Sequence, residues 1–361
     1  MIYRSLGLMS GTSLDGVDGA ICLTDGRRIL DFEGTFFRPY SASEQAVLRN
    51  VLGRWPEDGD FLDAKKVIHS VHLEVINALP EADLIGFHGQ TLNHDPGNGR
   101  SFQLGDGAAL ADACGKRVVW DFRSADVAAG GQGAPLAPFF HFACAKVLGA
   151  HAPIAFLNLG GVGNVTFVDP SKFRPEDDGA LLAFDTGPAN APINDFLLGR
   201  TGQDFDMNGA LALSGTVDTA VLEAFFRNEY FAKTPPKSLD RNDFIEIQNM
   251  VEHLSDADGA ATLTAITVAS VYAAQAHFKE DPARWLVCGG GRHNAAIMNG
   301  LRNRLDQNVD PVETVGFDGD MFEAQAFGFL AARVVAELPT SAIGTTGCKS
   351  PVCGGQISDP K

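Results

Sequence analysis

The sequence predicts a two-lobed α/β protein in which one structural unit occurs twice. Three observations carry that reading. The chain has 361 residues, more than a single hydrophobic core usually organises. Strand and helix signals alternate along it with no low-complexity linker. A strand, a glycine-rich turn and a returning strand open the chain and recur in its middle, so both halves start on the same motif. Two lobes, 1–150 and 151–339, with a cleft between them are the economical arrangement, and the tail 340–361 is expected to pack back on the first.

In the first lobe, Ile2 to Met9 reads as a strand, and Val17 to Leu23 returns beside it after the turn. Residues 42–52 and 60–79 carry helical spacing; in the second segment Val67, Val71, Val75 and Ile76 form one apolar stripe. Strands are expected at Leu84–Phe87 and Arg117–Phe122. Pro135 to Leu148 reads as a helix starting on a proline, whose fixed φ suits a first turn. The second lobe opens with a strand at Pro153–Leu159, the turn Gly160-Gly161-Val162-Gly163 and a returning strand at Asn164–Val168. A strand at Leu181–Phe184 follows, then helices at 189–198, 216–229, 242–254 and 260–278. The strand Arg284–Cys288 is closed by Gly289-Gly290-Gly291; beyond it lie a helix at 294–304, a strand at 313–316 and a long helix at 321–338.

The formal net charge of −17 repels nucleic acid and anionic membranes, so neither is expected as a partner. No run approaches the roughly 18 apolar residues of a membrane helix. The apolar N-terminal stretch is interrupted by Gly, Ser, Thr and Asp too soon for a signal peptide. Six cysteines, at 22, 114, 144, 288, 348 and 353, form no C-x-x-C pair, so reduced thiols and a cytoplasmic location are expected. The same negative charge makes a phosphate ligand unfavourable unless backbone N–H groups and a metal ion offset the field locally.

Common nucleotide signatures are missing. Gly115-Lys116 lacks the upstream glycine of a P-loop, no G-x-G-x-x-G opens a helix after a strand, and no zinc spacing is present. What stands in their place is the pair of hairpin turns. In the first, Gly11-Thr12-Ser13-Leu14-Asp15-Gly16-Val17-Asp18, backbone N–H groups with Thr12 and Ser13 would wrap a phosphate without a lysine. Asp15 and Asp18 would hold Mg²⁺ through water. A plain hairpin with a polar loop is the alternative, and the second turn, Gly160 to Asn164, weighs against it. Asp185, in Asp185-Thr186-Gly187-Pro188, sits where a strand ends ahead of a helix N-terminus, whose dipole favours an ionised carboxylate fit to act as a base; a helix cap is the other reading. A lone D-T-G excludes an aspartic protease, which needs two such carboxylates. Gly289-Gly290-Gly291 would let adenine or ribose lie against backbone, or be an ordinary strand-to-helix loop.

Seven motifs in order resemble those of the anhydro-N-acetylmuramic acid kinases. They are Leu8-Met9-Ser10 with GTSLDGVD, F-H-G-Q-T (87–91), D-F-R (121–123), G-G-Q-G-A-P-L (130–136), N-L-G-G-V-G-N-V-T (158–166), D-T-G-P-A-N (185–190) and C-G-G-G-R-H-N (288–294). The resemblance implies a duplicated actin-like (ribonuclease H-like) two-lobe ATPase fold with an inter-lobe cleft. It implies that ATP and water open the 1,6-anhydro ring of the sugar, giving N-acetylmuramic acid 6-phosphate and ADP in peptidoglycan recycling. On that basis residues 11–18, Gly160, Gly161, Asn164 and Gly289 to Gly291 bind ATP with Mg²⁺, Asp185 is the general base, and Glu323 acts beside the substrate. His88, Gln90, Arg123 and Asn190 contact the sugar. Open alternatives are an ion pair of Arg123 with Asp121 or Asp126, a His88 bonded within its own loop, and a capping box Asp320-Met-Phe-Glu323. A kinase of the same fold acting on an ordinary hydroxyl, or a non-catalytic ATP-binding regulator, are the competing functions, and a homodimer is left open. The chain departs from the family at its end, where Gly344-Thr-Thr-Gly-Cys-Lys and a polar tail replace a G-A-K-like ending.

Overall fold

The computed structural model describes residues 1–361, which divide into two compact units, 1–149 with 321–361, and 150–320. Twelve strands run through them: β1 (Tyr3–Ser10), β2 (Gly16–Thr24), β3 (Ile29–Pro39), β4 (Leu84–Asp95), β5 (Arg100–Leu104), β6 (Arg117–Trp120), β7 (Ile154–Leu159), β8 (Val162–Val168), β9 (Leu181–Pro188), β10 (Arg284–Cys288), β11 (Asn308–Pro311) and β12 (Gln356–Ser358).

The first unit holds a seven-stranded sheet in the order β12-β6-β4-β1-β2-β3, with β5 paired to β4. β1, β2 and β3 form an antiparallel meander, while β4 lies parallel to β1 and β6 parallel to β4. Alternation along β1 assigns its two faces. Leu6 and Leu8 join a core with Ile68, Val71 and Val75 of the helix Leu62–Ala78. On the other face Ser5 Oγ donates to Gly328 O at 2.7 Å, and a Cβ on Gly7 would lie 1.8 Å from Ala324 O. Gly86 on β4 meets Phe327 O in the same way, at 2.2 Å. The helix Phe322–Val335 is therefore seated directly on the backbone of β1 and β4. Although it follows the second unit in sequence, it belongs to the first. The tail returns to this unit, with β12 antiparallel to β6.

The second unit holds a five-stranded sheet in the order β11-β10-β7-β8-β9. Here β7, β8 and β9 make the antiparallel meander, β10 is parallel to β7, and β11 to β10. Read from the meander edge, 9-8-7-10-11 repeats the 3-2-1-4-6 of the first unit in order and direction. The duplication expected from two hairpins is thus a duplication of the whole sheet. Its core gathers Leu157, Val165, Phe184, Trp285 and Val287 under the helices Asp256–Ala274 and Ala295–Arg304. No helix is long and apolar enough to cross a membrane.

Several elements differ from expectation. The strand expected at 313–316 is a 3-10 turn, Val312–Val315, and pairing ends at Pro311, which has no N–H to continue a ladder. The helix expected over 242–254 shortens to Ile247–Val251, and Pro138–Val147 starts three residues after Pro135. β3, β5, β12 and the helix Gly107–Cys114 were not anticipated. All six cysteines are free thiols.

Candidate active site

In the first unit the turn between β1 and β2 closes through Leu14 N, which donates to Gly11 O at 3.2 Å. Leu14 adopts a left-handed φ of 60°, which costs a non-glycine residue about 1–2 kcal/mol. Its side chain is buried in the core, which offsets that cost by a similar amount. Val17 is buried as well, so the side chains of Leu14 and Val17 pack into the core and hold the turn. Thr12, Ser13 and Asp15 stay exposed, with Ser13 Oγ donating to Asp15 Oδ2 at 2.8 Å. Gly16 is obligatory: a Cβ there would lie 2.3 Å from Arg38 O. Leu14 N and the Ser13 hydroxyl are thus engaged within the turn, and the Thr12 hydroxyl and the Asp15 carboxylate are exposed beside them. Asp18 lies on β2 opposite Met9 and is half-buried.

Gln90 grips this turn from beneath. It is fully buried; Oε1 accepts from Ser10 Oγ at 2.6 Å, and Nε2 donates to Gly11 O and to Thr91 O, both at 3.2 Å. Ser10 Oγ also meets Tyr40 Oη at 2.9 Å. The Gln90 amide is thereby occupied in positioning the turn, a different task from the sugar contact expected of it.

His88, on the same strand, is bonded both ways. Nδ1 lies 2.8 Å from Gly89 O, and Nε2 lies 3.2 Å from Arg123 Nε and 2.9 Å from Arg123 Nη2. A guanidinium only donates, so Nε2 accepts and Nδ1 carries the proton. Burial, and then the Arg123 charge, hold the imidazole well below its ordinary value, so it is neutral. Arg123 Nη1 donates to Gly133 O at 2.7 Å. The ion pair with Asp121 is not made: Asp121 instead accepts from Ser124 and, at 2.7 Å, from Gln356. Burial lowers the Arg123 guanidinium to about 10, against the opposing pull of Glu323 and Asp126, and it remains charged at neutral pH. Glu323 stands in the first turn of the helix Phe322–Val335. Its residue surface is largely open, yet the protein around the carboxyl raises it above the ordinary range, and Arg123 works against that rise. No capping box forms there. The N-cap is Met321, and Asp320 pairs with Arg292 at 2.8 Å.

In the second unit Asp185 lies on β9 and not at a helix terminus. The following helix, Asn190–Thr201, has Ala189 as its N-cap and no side-chain cap bond, so both the cap and the dipole readings fall. Pro188 ends β9 and does not start the helix. Asp185 is instead set across from Asn164 on β8 by a bulge: the register steps from Gly163↔Gly187 to Asn164↔Asp185, leaving Thr186 extra. Bulges re-aim side chains in this way near functional sites. Asn164 Nδ2 donates to Asp185 Oδ1 and Leu239 N to Oδ2, both at 2.8 Å. The Asp185 backbone is fixed by its N–H to Lys237 O at 3.0 Å and by Tyr230 Oη, which donates to its carbonyl. Burial pushes the carboxyl up to about 6, against the lowering effect of the Asn164 and Leu239 bonds. Asn164, expected at the nucleotide, has its amide on the carboxylate. Leu239 escaped sequence reading because it acts through a backbone N–H in an irregular segment, which leaves no residue-type signal.

The second turn, Gly160-Gly161, is gripped as the first is. Asn190 Nδ2 donates to Leu159 O at 2.8 Å and Gly160 O at 3.0 Å, and its own N–H bonds Gly160 O at 2.9 Å. Asn190 thus mirrors Gln90 as a turn clamp. Of the triplet after β10, Gly289 and Gly291 are required by packing, because a Cβ would lie 2.2 Å from Asn158 Oδ1 and 2.5 Å from Leu159 Cβ. Gly290 has nothing closer than 3.8 Å, leaving one open glycine face. Arg292, buried beside it, is held by Glu313 at 2.7 Å and by Asp320. No group of three His, Cys, Asp or Glu side chains gathers as a metal cage.

A family model described as anhydro-N-acetylmuramic acid kinase matches residues 3–360. The chain is 57% identical over 358 residues to the anhydro-N-acetylmuramic acid kinase of Ruegeria sp. (strain TM1040), covering 99% of this chain and 95% of that one. It is 56% identical over 357 residues to that of Cereibacter sphaeroides, covering 99% and 96%. A solved structure, component A of (R)-2-hydroxyglutaryl-CoA dehydratase from Acidaminococcus fermentans, aligns with a TM-score of 0.47 at 11% identity, over 93% of this chain and 100% of that one.

Proposed function

The chain belongs to the anhydro-N-acetylmuramic acid kinase family, and we propose that it performs the reaction its relatives are named for. With ATP and water it opens the 1,6-anhydro ring of anhydro-N-acetylmuramic acid and phosphorylates O6, yielding N-acetylmuramic acid 6-phosphate and ADP in cell-wall recycling. It is a phosphotransferase with an alcohol acceptor. The cytoplasm, where ATP is available, is its expected place of action.

The observation that carries this reading is Asp185, a carboxyl pushed up to about 6 and held at both oxygens by fixed donors. A base that titrates near the working pH is ionised often enough to act and still accepts a proton readily. Each oxygen keeps a second lone pair for water. Asp185 takes a proton from water as the water oxygen bonds to C1. The C1–O6 bond breaks, and O6 takes the γ-phosphoryl group from ATP, releasing ADP; the proton then leaves Asp185 for solvent. Because phosphate traps the departing oxygen, no separate strong acid is required. Positioning and charge stabilisation supply most of the rate.

The N–H groups and hydroxyls of Gly11 to Asp15, and the backbone of Gly160 and Gly161, are assigned to the phosphates, and the open face of Gly290 to the adenosine. Arg123 and Glu323 are assigned to the sugar, with His88 orienting Arg123. A Mg²⁺ ion would be held by Asp15 or Asp18 together with phosphate oxygens and water, a sparse protein ligand set that suits this metal. When bound it would neutralise phosphate charge. Turnover in ¹⁸O-water tests the reaction: the label is expected at C1 of the phosphorylated product, and its absence there would leave an ordinary hydroxyl kinase.

A further inference from the structure

We propose that the C-terminal segment Ser341–Thr346 is a positioning element for the sugar site, acting on Arg123 through Asp126 and Gly133; this rests on Arg123 contacting the sugar. Asp126 is 1% exposed and lies three residues beyond Arg123, on the helix Ser124–Ala128 that Arg123 caps. Its carboxylate is divided between two tasks. Oδ1 accepts from Ser341 Oγ and, at 2.6 Å, from Thr346 Oγ1. Oδ2 accepts from Gly133 N at 2.6 Å. The carbonyl of that same Gly133 receives Arg123 Nη1 at 2.7 Å. One peptide therefore stands between the tail-bound carboxylate and the guanidinium.

A parallel link strengthens the tie: Gln132 N donates to Thr346 O at 2.8 Å. The loop 129–135 is mostly glycine, alanine and proline. Gly131 must stay bare because a Cβ would lie 2.2 Å from Asp126 Oδ2, and Gly133 takes a φ of 67°. A buried carboxylate with charge-assisted bonds is costly to leave half-satisfied, so it holds its donors in register. Loss of the two hydroxyls leaves the carboxylate with only the Cys348 thiol on the tail side, lets the Gly133 peptide turn, and misplaces Arg123 at its Nη1 contact. His88 still holds the other edge, so the effect falls on sugar affinity more than on the fold.

The test is a double-mutant cycle between the tail and Arg123. Ser341→Ala with Thr346→Val is expected to raise the KM for anhydro-N-acetylmuramic acid roughly 5- to 10-fold, the scale of one weakened hydrogen bond. KM for ATP should stay unchanged. Arg123→Lys raises the sugar KM by itself, and the combined variant should fall well short of the product of the two effects, since both act at one contact. The hydroxyl-preserving pair Ser341→Thr and Thr346→Ser should restore the normal KM. If the double tail variant does not fold, Thr346→Val alone, which keeps side-chain volume, closes the cycle. An Arg123→Lys effect multiplied in full by the tail variant, or a tail variant with normal sugar KM, overturns the relay while leaving Arg123 at the sugar. A normal sugar KM in Arg123→Lys itself overturns the placement of Arg123 and the relay with it.

Discussion

At the scale of single residues, Asp185 makes the sharpest predictions. Asp185→Asn should lower turnover at least ~10³-fold while leaving ATP binding nearly unchanged, as loss of a general base does; single-turnover kinetics and ATP titration read the two separately. Its folded value of about 6 lies above the ordinary 3.8, so the protonated carboxyl fits its site better than the carboxylate. The stability this group contributes is complete below 3.8 and is lost as pH rises through about 6, while activity rises over the same window. The melting temperature of Asp185→Asn, taken relative to the unaltered protein, should therefore climb between about pH 4 and pH 7; a flat difference would contradict the burial argument. Asn164→Ala removes a donor that favours the carboxylate, so the acid limb of the rate profile should move up by about one unit with ATP affinity retained. Asp185 itself could be singled out in the sequence because D-T-G closes an apolar run, which the structure extends through it as β9. Its setting was not, because the bulge that pairs it with Asn164 and the N–H of Leu239 depend on register and on an irregular segment, neither of which has a residue signature.

At the scale of elements, both glycine-rich turns are shaped by an amide reaching in from elsewhere in the same unit. Gln90 holds Gly11 O, and Asn190 holds Leu159 O and Gly160 O. Gln90→Leu should leave the core intact yet let the first turn relax, raising the KM for ATP roughly tenfold with little change in the KM for sugar. The reverse pattern, sugar affected and ATP spared, would return Gln90 to direct sugar contact. The turns could be found from their glycines, and β10 was read to the residue. β3 was missed because Gly34 and the half-exposed run around it carry no clean alternation. The run 313–316 looked like a strand because of the β-branched Thr314 and Val315, and only the end of pairing at Pro311 shows otherwise.

For the whole molecule, a repeated hairpin was enough to anticipate a repeated sheet, because a meander followed by two parallel crossovers is the way each half continues. The allotment of the last helix was not legible. Its partners are Gly7 and Gly86, which touch the carbonyls of Ala324 and Phe327 from far along the chain, and a glycine's bareness does not say what lies against it. The tail, through which the family match runs to residue 360, is tied by β12, by Arg117 to Asp359 at 2.6 Å, and by Asp126.

β12 has an effect that catalysis does not explain. Without it, β6 would be an outer strand, with the N–H and C=O groups of Val118 to Trp120 open to any passing chain. The opposite border, β3, is defended differently, by Asp31, Glu33 and Arg38 and by breaks in its pairing with β2. A chain ended at Gly354 keeps Ser341 and Thr346 and so should keep its sugar KM, but it should self-associate as concentration rises. Light scattering across a dilution series would reveal this. Those final residues act as a guard on solubility, and their removal to aid crystallisation or tagging would have the opposite of the intended result.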